Sequence, residues 1–294
     1  MKDTIAIGAA ALLALAGCAE EEGLSGGSGQ LAFVSDRQLS QYDIYIVNAD
    51  RTGLVNLTDH FADDTWPAWA PDGSKLAFQS DRVATAGAHV DQDVFVINAD
   101  GSALVQLTSD TTNEAQPAWS PSGAQLAFVT DRDGDSEIYV MNADGSGATR
   151  LTTNGATDEQ PAWSPDGSKI AFVTDRDGNG EIYIMNAADG TGLVNLTNHA
   201  GIDLAPAWST DGALIAFQSD RSGDFAIWVM NADGSNVTRL TVTATPAELP
   251  SWSPDGTRVA FDTDGEVWVL YLDGTGIARI TDGFPADFMA RWRP

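Results

Sequence analysis

Beyond about residue 30, apolar and polar positions alternate over four to five residues at a time, and Asp-Gly or Pro-Asp-Gly turns separate the runs. Two-residue alternation predicts half-buried strands, and no sustained helical period interrupts it. The stretch around Gln160 sets the pattern. Strands are predicted at residues 161–164, 169–174, 181–186 and 193–197, with turns at Pro165-Asp166-Gly167 and Asp189-Gly190 and a loop over 175–180. Asp-Gly suits such turns because glycine accepts positive φ at no steric cost.

The same four-strand unit recurs around Trp69, Trp119, Trp163, Trp208, Trp252 and Trp292, mostly 44 or 45 residues apart. A repeat of that length built only of strands predicts the blades of a β-propeller. The chain enters the repeat at Gln30-Leu31-Ala32-Phe33, which matches a second strand, and ends at Ala290-Arg291-Trp292, which matches a first strand. The two ends are therefore expected to complete one blade. The expectation is an all-β, six-bladed propeller of four-stranded antiparallel blades over 30–294, closed by the C-terminal strand. The six tryptophans are expected to pack between blades, whereas Trp66, Trp228 and Trp268 fall outside their register and are candidates for surface contacts.

These units, Pro-Ala-Trp-Ser-Pro-Asp-Gly followed by Ile-Ala-Phe, Arg and Ile-Tyr-Ile-Met, resemble those of the TolB-like family of six-bladed propellers. The resemblance implies a cell-envelope propeller that binds protein or peptide partners and needs no cofactor. The family's eponymous members carry an additional N-terminal α/β domain. The segment 18–29 leaves no room for one, so a stand-alone propeller is expected.

Ahead of the repeats, residues 1–17 read as an export signal, with an apolar run from Ile5 to Ala16 too short to span a bilayer. Leu15-Ala16-Gly17-Cys18 resembles a bacterial lipobox, which makes Cys18 the expected lipidation site and 18–29 a flexible tether. Ala19 stands where an inner-membrane retention aspartate would, so the outer membrane or the cell surface is the expected location. Cys18 is the only cysteine, which excludes an intrachain disulfide and a thiolate metal site.

With 42 acidic against 15 basic residues the net charge is −27. Such a surface repels nucleic acid and anionic lipid, so membrane contact is expected through the anchor alone and partners are expected to be cationic. A saline habitat accounts for the acidity equally well. The protein is expected to be a monomer.

Strand alternation puts the loops between second and third strands on the same rim as the loops entering each first strand. That rim holds the varied sequence, including the insertion over 83–92, and is the expected binding surface. It carries Asp64, Glu114, Asp158, Asp203 and Asp287, each three positions before the proline slot. These either form a ring of carboxylates at a channel mouth or pair with Arg82, Arg132, Arg176, Arg221 and Arg37. The remaining blade has Ala247 at the acidic slot and Thr263 at the arginine slot. Joint absence favours five intra-blade ion pairs.

Asp175, Asp177, Asn179 and Glu181 match the start of a calcium loop, and Asp131, Asp133 and Asp135 nearly so, which makes Ca2+ the one ion these loops suggest. The twelfth positions, Asn186 and Asn142, lack the bidentate glutamate. His60 and His199 occupy matching loops three blades apart. Propeller lyases acting on pectic fragments hold a metal with channel-mouth histidines, so a metal-dependent lyase or a carbohydrate-binding propeller is the alternative reading. Gly23-Leu24-Ser25-Gly26-Gly27 has nucleophile-motif spacing without the strand-turn-helix context that chemistry needs. No nucleophile, base and orienting partner are recognisable, and a non-enzymatic binding module is the expected function.

Overall fold

The computed structural model describes residues 29–38, 41–82, 91–282 and 286–294. Within them lie six four-stranded antiparallel sheets arranged as blades around an axis, and no helix. Blade 1 joins the two ends of the chain: Asp287–Trp292 is its innermost strand, pairing with Gln30–Ser35 in a register that sets Leu31 opposite Trp292 and Ser35 opposite Asp287. Blades 2 to 6 each run outward in sequence from their tryptophan strand.

In the unit around Gln160, the second and third strands, Lys169–Thr174 and Glu181–Asn186, fall where alternation places them. The innermost strand begins earlier, at Asp158, and the fourth shrinks to Val194–Asn195. The shortening has a local cause. Beyond the second ladder pair, the Thr197 hydroxyl rather than a backbone carbonyl accepts the Ile182 N–H at 3.0 Å. The threonine of the recurring Leu-Thr pair, Ile-Thr in blade 6, does this in all six blades, capping Ile44, Val94, Ile138, Ile182, Ile227 and Val267. A side-chain acceptor ends the sheet without leaving a buried N–H unpaired.

The core lies between blades. Phe33, Phe78, Phe128, Phe172, Phe217 and Phe261, one per second strand, are all fully buried. Leu31, Phe33 and Tyr45 of blade 1 pack on Ala260, Val267 and Val269 of blade 6. The repeat tryptophans reach the same seams: the indole N–H of Trp69 donates to the Arg291 carbonyl, Trp208 to Ala162 and Trp252 to Ala207, at 3.1–3.2 Å. Trp228 and Trp268 correct the sequence reading. They occupy the third-strand aromatic slot held elsewhere by Tyr or Phe, and they pack into inter-blade clusters.

Every innermost strand carries a bulge at which a non-glycine residue takes positive φ: Trp66, Gln116, Gln160, Ala205, Leu249 and Met289, all between 52° and 57°. Proline follows in five of the six, which a bulge tolerates because no ladder N–H is required there. The bulges of blades 2 to 5, at Trp66, Gln116, Gln160 and Ala205, line the central channel.

Glycine in the Asn-Ala-Asp-Gly turn has a second duty besides its φ. A Cβ at Gly145 would lie 2.6 Å from the carbonyl oxygen of Leu107 in the preceding blade, and φ there is +85°. Gly145→Ala is therefore expected to destabilise by about 2 kcal/mol, combining the left-handed penalty with a backbone clash. Thermal and urea unfolding of the variant measure it.

Candidate functional site

The two rims of the ring differ in how their charges are used. On the turn rim, Asp50, Asp72, Asp100, Asp144, Asp166, Asp189, Asp233 and Asp273 each accept the N–H and hydroxyl of the Ser or Thr two residues on. Those bonds, and at Asp166 first of all one from the Ser164 hydroxyl, hold each carboxyl below the ordinary aspartate range. Asp255, bonded in the same way, is lowered to about 2: burial opposes its ionisation, and the bonds to Ser253 and Thr257 and the charge of Arg258 outweigh it. Much of the acidity on this face is turn chemistry, already satisfied from within.

On the loop rim, five ion pairs repeat: Arg37–Asp287 and Arg221–Asp203 at 2.8 Å, Arg176–Asp158 at 3.1 Å, Arg132–Glu114 at 3.2 Å, and Arg82–Asp64. Each carboxylate side chain is fully buried, and each guanidinium also lies over two aromatic rings, as Arg221 does over Phe217 and Trp228 at 5.1 and 5.2 Å. Burial raises the Asp64 and Glu114 carboxyls even with arginine alongside. Asp64, Glu114, Asp158 and Asp203 thus stand as buried struts of their blades, not as a solvent-open ring at the channel mouth.

Blade 6 lacks the pair, but the register corrects one position. Thr263 faces Glu266, as Thr130 faces Glu137, and the arginine slot two residues later is Gly265. Thr263 bonds the Thr245 hydroxyl instead, at 2.7 Å.

The aspartates of the two calcium-like loops turn toward separate partners. Asp131 accepts the backbone and side-chain N–H groups of Asn113, and Asp175 accepts the Thr157 N–H. Asp133 and Asp177 accept the Tyr139 and Tyr183 hydroxyls. Glu181, buried, accepts the His199 N–H at 2.9 Å and the Thr197 hydroxyl, Asn179 donates to the Gly201 carbonyl, and Asp135 is exposed. Among the described residues no group of three His, Cys, Asp or Glu side chains is placed to hold a metal ion. His60 and His199 are exposed, and each uses Nδ1 to accept a backbone N–H two residues ahead, from Ala62 and Gly201. His89 and Cys18 lie outside the described residues.

The channel has a volume of about 360 Å3 and is lined by the bulges of blades 2 to 5, the prolines and the repeat tryptophans. Its wall is small at Ala68, Ala118, Ala162, Ala207 and Ser251, while the equivalent residue of blade 1 is Arg291. Around it the bulge N–H groups of blades 1 and 3 to 6 are bonded across the seams. Gln116 donates to the Gln79 side-chain carbonyl, Gln160 to Gln116, Ala205 to Gln160 and Leu249 to Gln218, at 2.6–2.9 Å. Met289 donates to a carboxylate, Asp262 Oδ2, at 2.5 Å. Where the second strand offers valine (Val129, Val173), the bulge glutamine of the preceding blade makes the bond instead. Sequence reading missed this ring, because the acceptor position holds Val, Gln or Asp and shows no repeat.

Asp262 is 7% exposed, and its Oδ1 has no hydrogen-bond partner. Burial pushes its carboxyl up to about 7, although the Met289 N–H and the nearby charge of Arg291 favour ionisation. A carboxyl raised above its unfolded value contributes stability that is complete below about pH 4 and lost as pH rises through about 7. Asp262→Asn is expected to remove that dependence. Between about pH 4 and 8, wild type should lose roughly 3 kcal/mol relative to the variant. Urea melts of both proteins across this range measure it.

Asp262 also lines a second cavity, of about 380 Å3, in the loop rim at blade 6, together with Glu248, Thr263, Asp264, Gly265, Asp287 and Phe288. Elsewhere on the rim, apolar side chains are exposed: Phe61 at 88% and Ile202 at 40%.

A family model described as the TolB beta propeller domain matches residues 83–161 and 157–284. A comparison with curated protein sequences gives no match. Among solved structures, TolB from Acinetobacter baumannii superposes with a TM-score of 0.77 at 24% identity, covering 90% of this chain and 67% of that one. A putative TolB from Agrobacterium tumefaciens gives 0.68 at 23%, covering 91% and 99%. An oligogalacturonate lyase in complex with manganese gives 0.55 at 16%, covering 75% and 68%. With six blades, the repeated motifs at equivalent positions and the family model spanning most of the ring, the chain belongs to the TolB β-propeller family.

Proposed function

We propose that this propeller is a non-enzymatic binding module of the cell envelope, held there by a lipid on Cys18, whose loop rim docks a protein or peptide. The observation that carries this reading is Phe61. An aromatic side chain 88% exposed at the tip of a loop, on a ring whose core fixes that loop's base, is a ready anchor for a partner. Ile202, two blade-steps short of the opposite side of the ring from the blade 6 cavity, extends the apolar character of the same rim. Homology points the same way, since the family model that spans most of the ring is that of the TolB propeller domain.

Capture with the Cys18→Ser chain, from envelope extracts at several salt concentrations, tests the reading. A defined protein should be retained and should be lost from a Phe61→Ser bait; retention of nothing at any salt concentration would count against it. The second reading, a metal-dependent lyase, draws on the likeness to the manganese-bound oligogalacturonate lyase. Against it, His60 and His199 enter blades 2 and 5, on opposite sides of the ring, and spend Nδ1 on their own loops. Equilibrium dialysis with calcium, manganese and zinc separates the two: one tightly held equivalent of metal would favour the lyase.

A further inference from the structure

Blade 6 joins its second and third strands through two residues, Asp264 and Gly265, where blades 3, 4 and 5 use the six-residue loops 131–136, 175–180 and 220–225. The short hairpin lowers the rim there and opens the cavity of about 380 Å3 as a notch toward blade 1. Four carboxylates line it: Glu248, Asp262, Asp264 and Asp287. Arg37 neutralises Asp287, and no lysine or arginine is among the lining residues.

Asp262 is the informative member. Its structural task is to accept the bulge N–H of the next blade, and neutral amides perform that task at the same slot in blades 2 and 5, through Gln79 and Gln218. A carboxyl, ionised once the pH passes about 7, adds a charge that the seam does not need and leaves Oδ1 buried and unpaired. Such an atom costs stability until something donates to it. Arg291 acts on it only through space, and its own hydrogen bond goes to the Ala290 carbonyl at 2.9 Å. These carboxylates do not converge as metal ligands do, whereas a broad, multi-donor organic cation can bond to groups spread along a notch.

We propose that the blade 6 notch receives a basic side chain, a guanidinium or an ammonium group, from the docked polypeptide. Glu248, Asp262 and Asp264 supply the acceptors and the negative field, and Phe288 packs on the aliphatic stem. This rests on the scaffold reading above and specifies what the partner must offer.

The test is an amide-resonance titration of the isotope-labelled Cys18→Ser chain with three probes: N-acetylarginine amide, N-acetyllysine amide and the neutral isostere N-acetylcitrulline amide. Saturable shifts from the arginine or the lysine probe, confined to Thr263, Asp264, Gly265 and their neighbours, are expected, with none from citrulline. Glu248→Gln and Asp262→Asn, each checked for an unchanged fold by its own amide spectrum, should bind about tenfold more weakly, the loss of one charge-assisted bond. The proposal is overturned by shifts spread over the whole acidic surface, by an equal response to citrulline, by no response to either cation, or by variants that titrate like wild type. The two readings fail separately. A partner protein captured as tightly by Glu248→Gln and Asp262→Asn as by wild type overturns the notch and leaves the scaffold, whereas saturable arginine binding with no captured protein does the reverse.

Discussion

A chain ending at Ala286 is expected to lose cooperative folding. Removing Asp287–Trp292 strips blade 1 of its innermost strand and breaks a ladder of four register pairs with Gln30–Ser35. It also takes Trp292 and Ala290 from the cluster that joins blades 6 and 1, unpairs Arg37 and leaves Asp262 without the Met289 N–H. The ring is then open, with strand edges facing solvent on both sides of the gap. The loss should exceed about 5 kcal/mol, which is the whole margin of many domains. Circular dichroism melts would show a broad, non-cooperative transition, and size-exclusion would show association through the open edges. Adding a peptide of residues 286–294 should restore the transition. A truncated chain that melts like wild type would mean that the blades hold without closure.

The second large effect concerns the buried struts. Arg221→Ala removes the cation paired to Asp203, a fully buried carboxylate, and is expected to cost about 3–5 kcal/mol. The double variant Asp203→Ala/Arg221→Ala should cost clearly less, because no charge is stranded, although the contact of the guanidinium with Phe217 and Trp228 is still lost. Blade 6 is the natural form of this double change, with Ala247 and Gly265 at the two slots. Additive effects of the two substitutions would contradict the strut interpretation.

The sequence disclosed the parts of this molecule that repeat. Alternation located the second and third strands, the tryptophan spacing counted the blades, and the joint loss of acid and arginine in one blade revealed the ion pairs. It misled where a slot tolerates chemical variety or a loop changes length. Trp228 and Trp268 looked like surface residues because their slot accepts any aromatic ring. The arginine slot of blade 6 was read at Thr263 because deletion in the hairpin shifts the apparent alignment, and only the Thr263–Glu266 pairing puts Gly265 there. The inner strands began earlier than expected because the bulges at Gln160 and its equivalents break two-residue alternation. The notch had no local signal at all. It arises from a short hairpin, the Glu248–Leu249 strand and the C-terminal strand meeting at one seam, and only the closed ring brings them together.

On the function proposed above, this ring docks a polypeptide on its loop rim. A photo-activated cross-linking residue placed singly at Phe61, Ile202 or Asp264, and in parallel at Asp72, Asp166 or Asp255 on the turn rim, tests it in cells that make the protein. Protein adducts from the loop-rim positions and none from the turn-rim positions are the predicted result. Adducts confined to the turn rim, or none from any position, would contradict the claim.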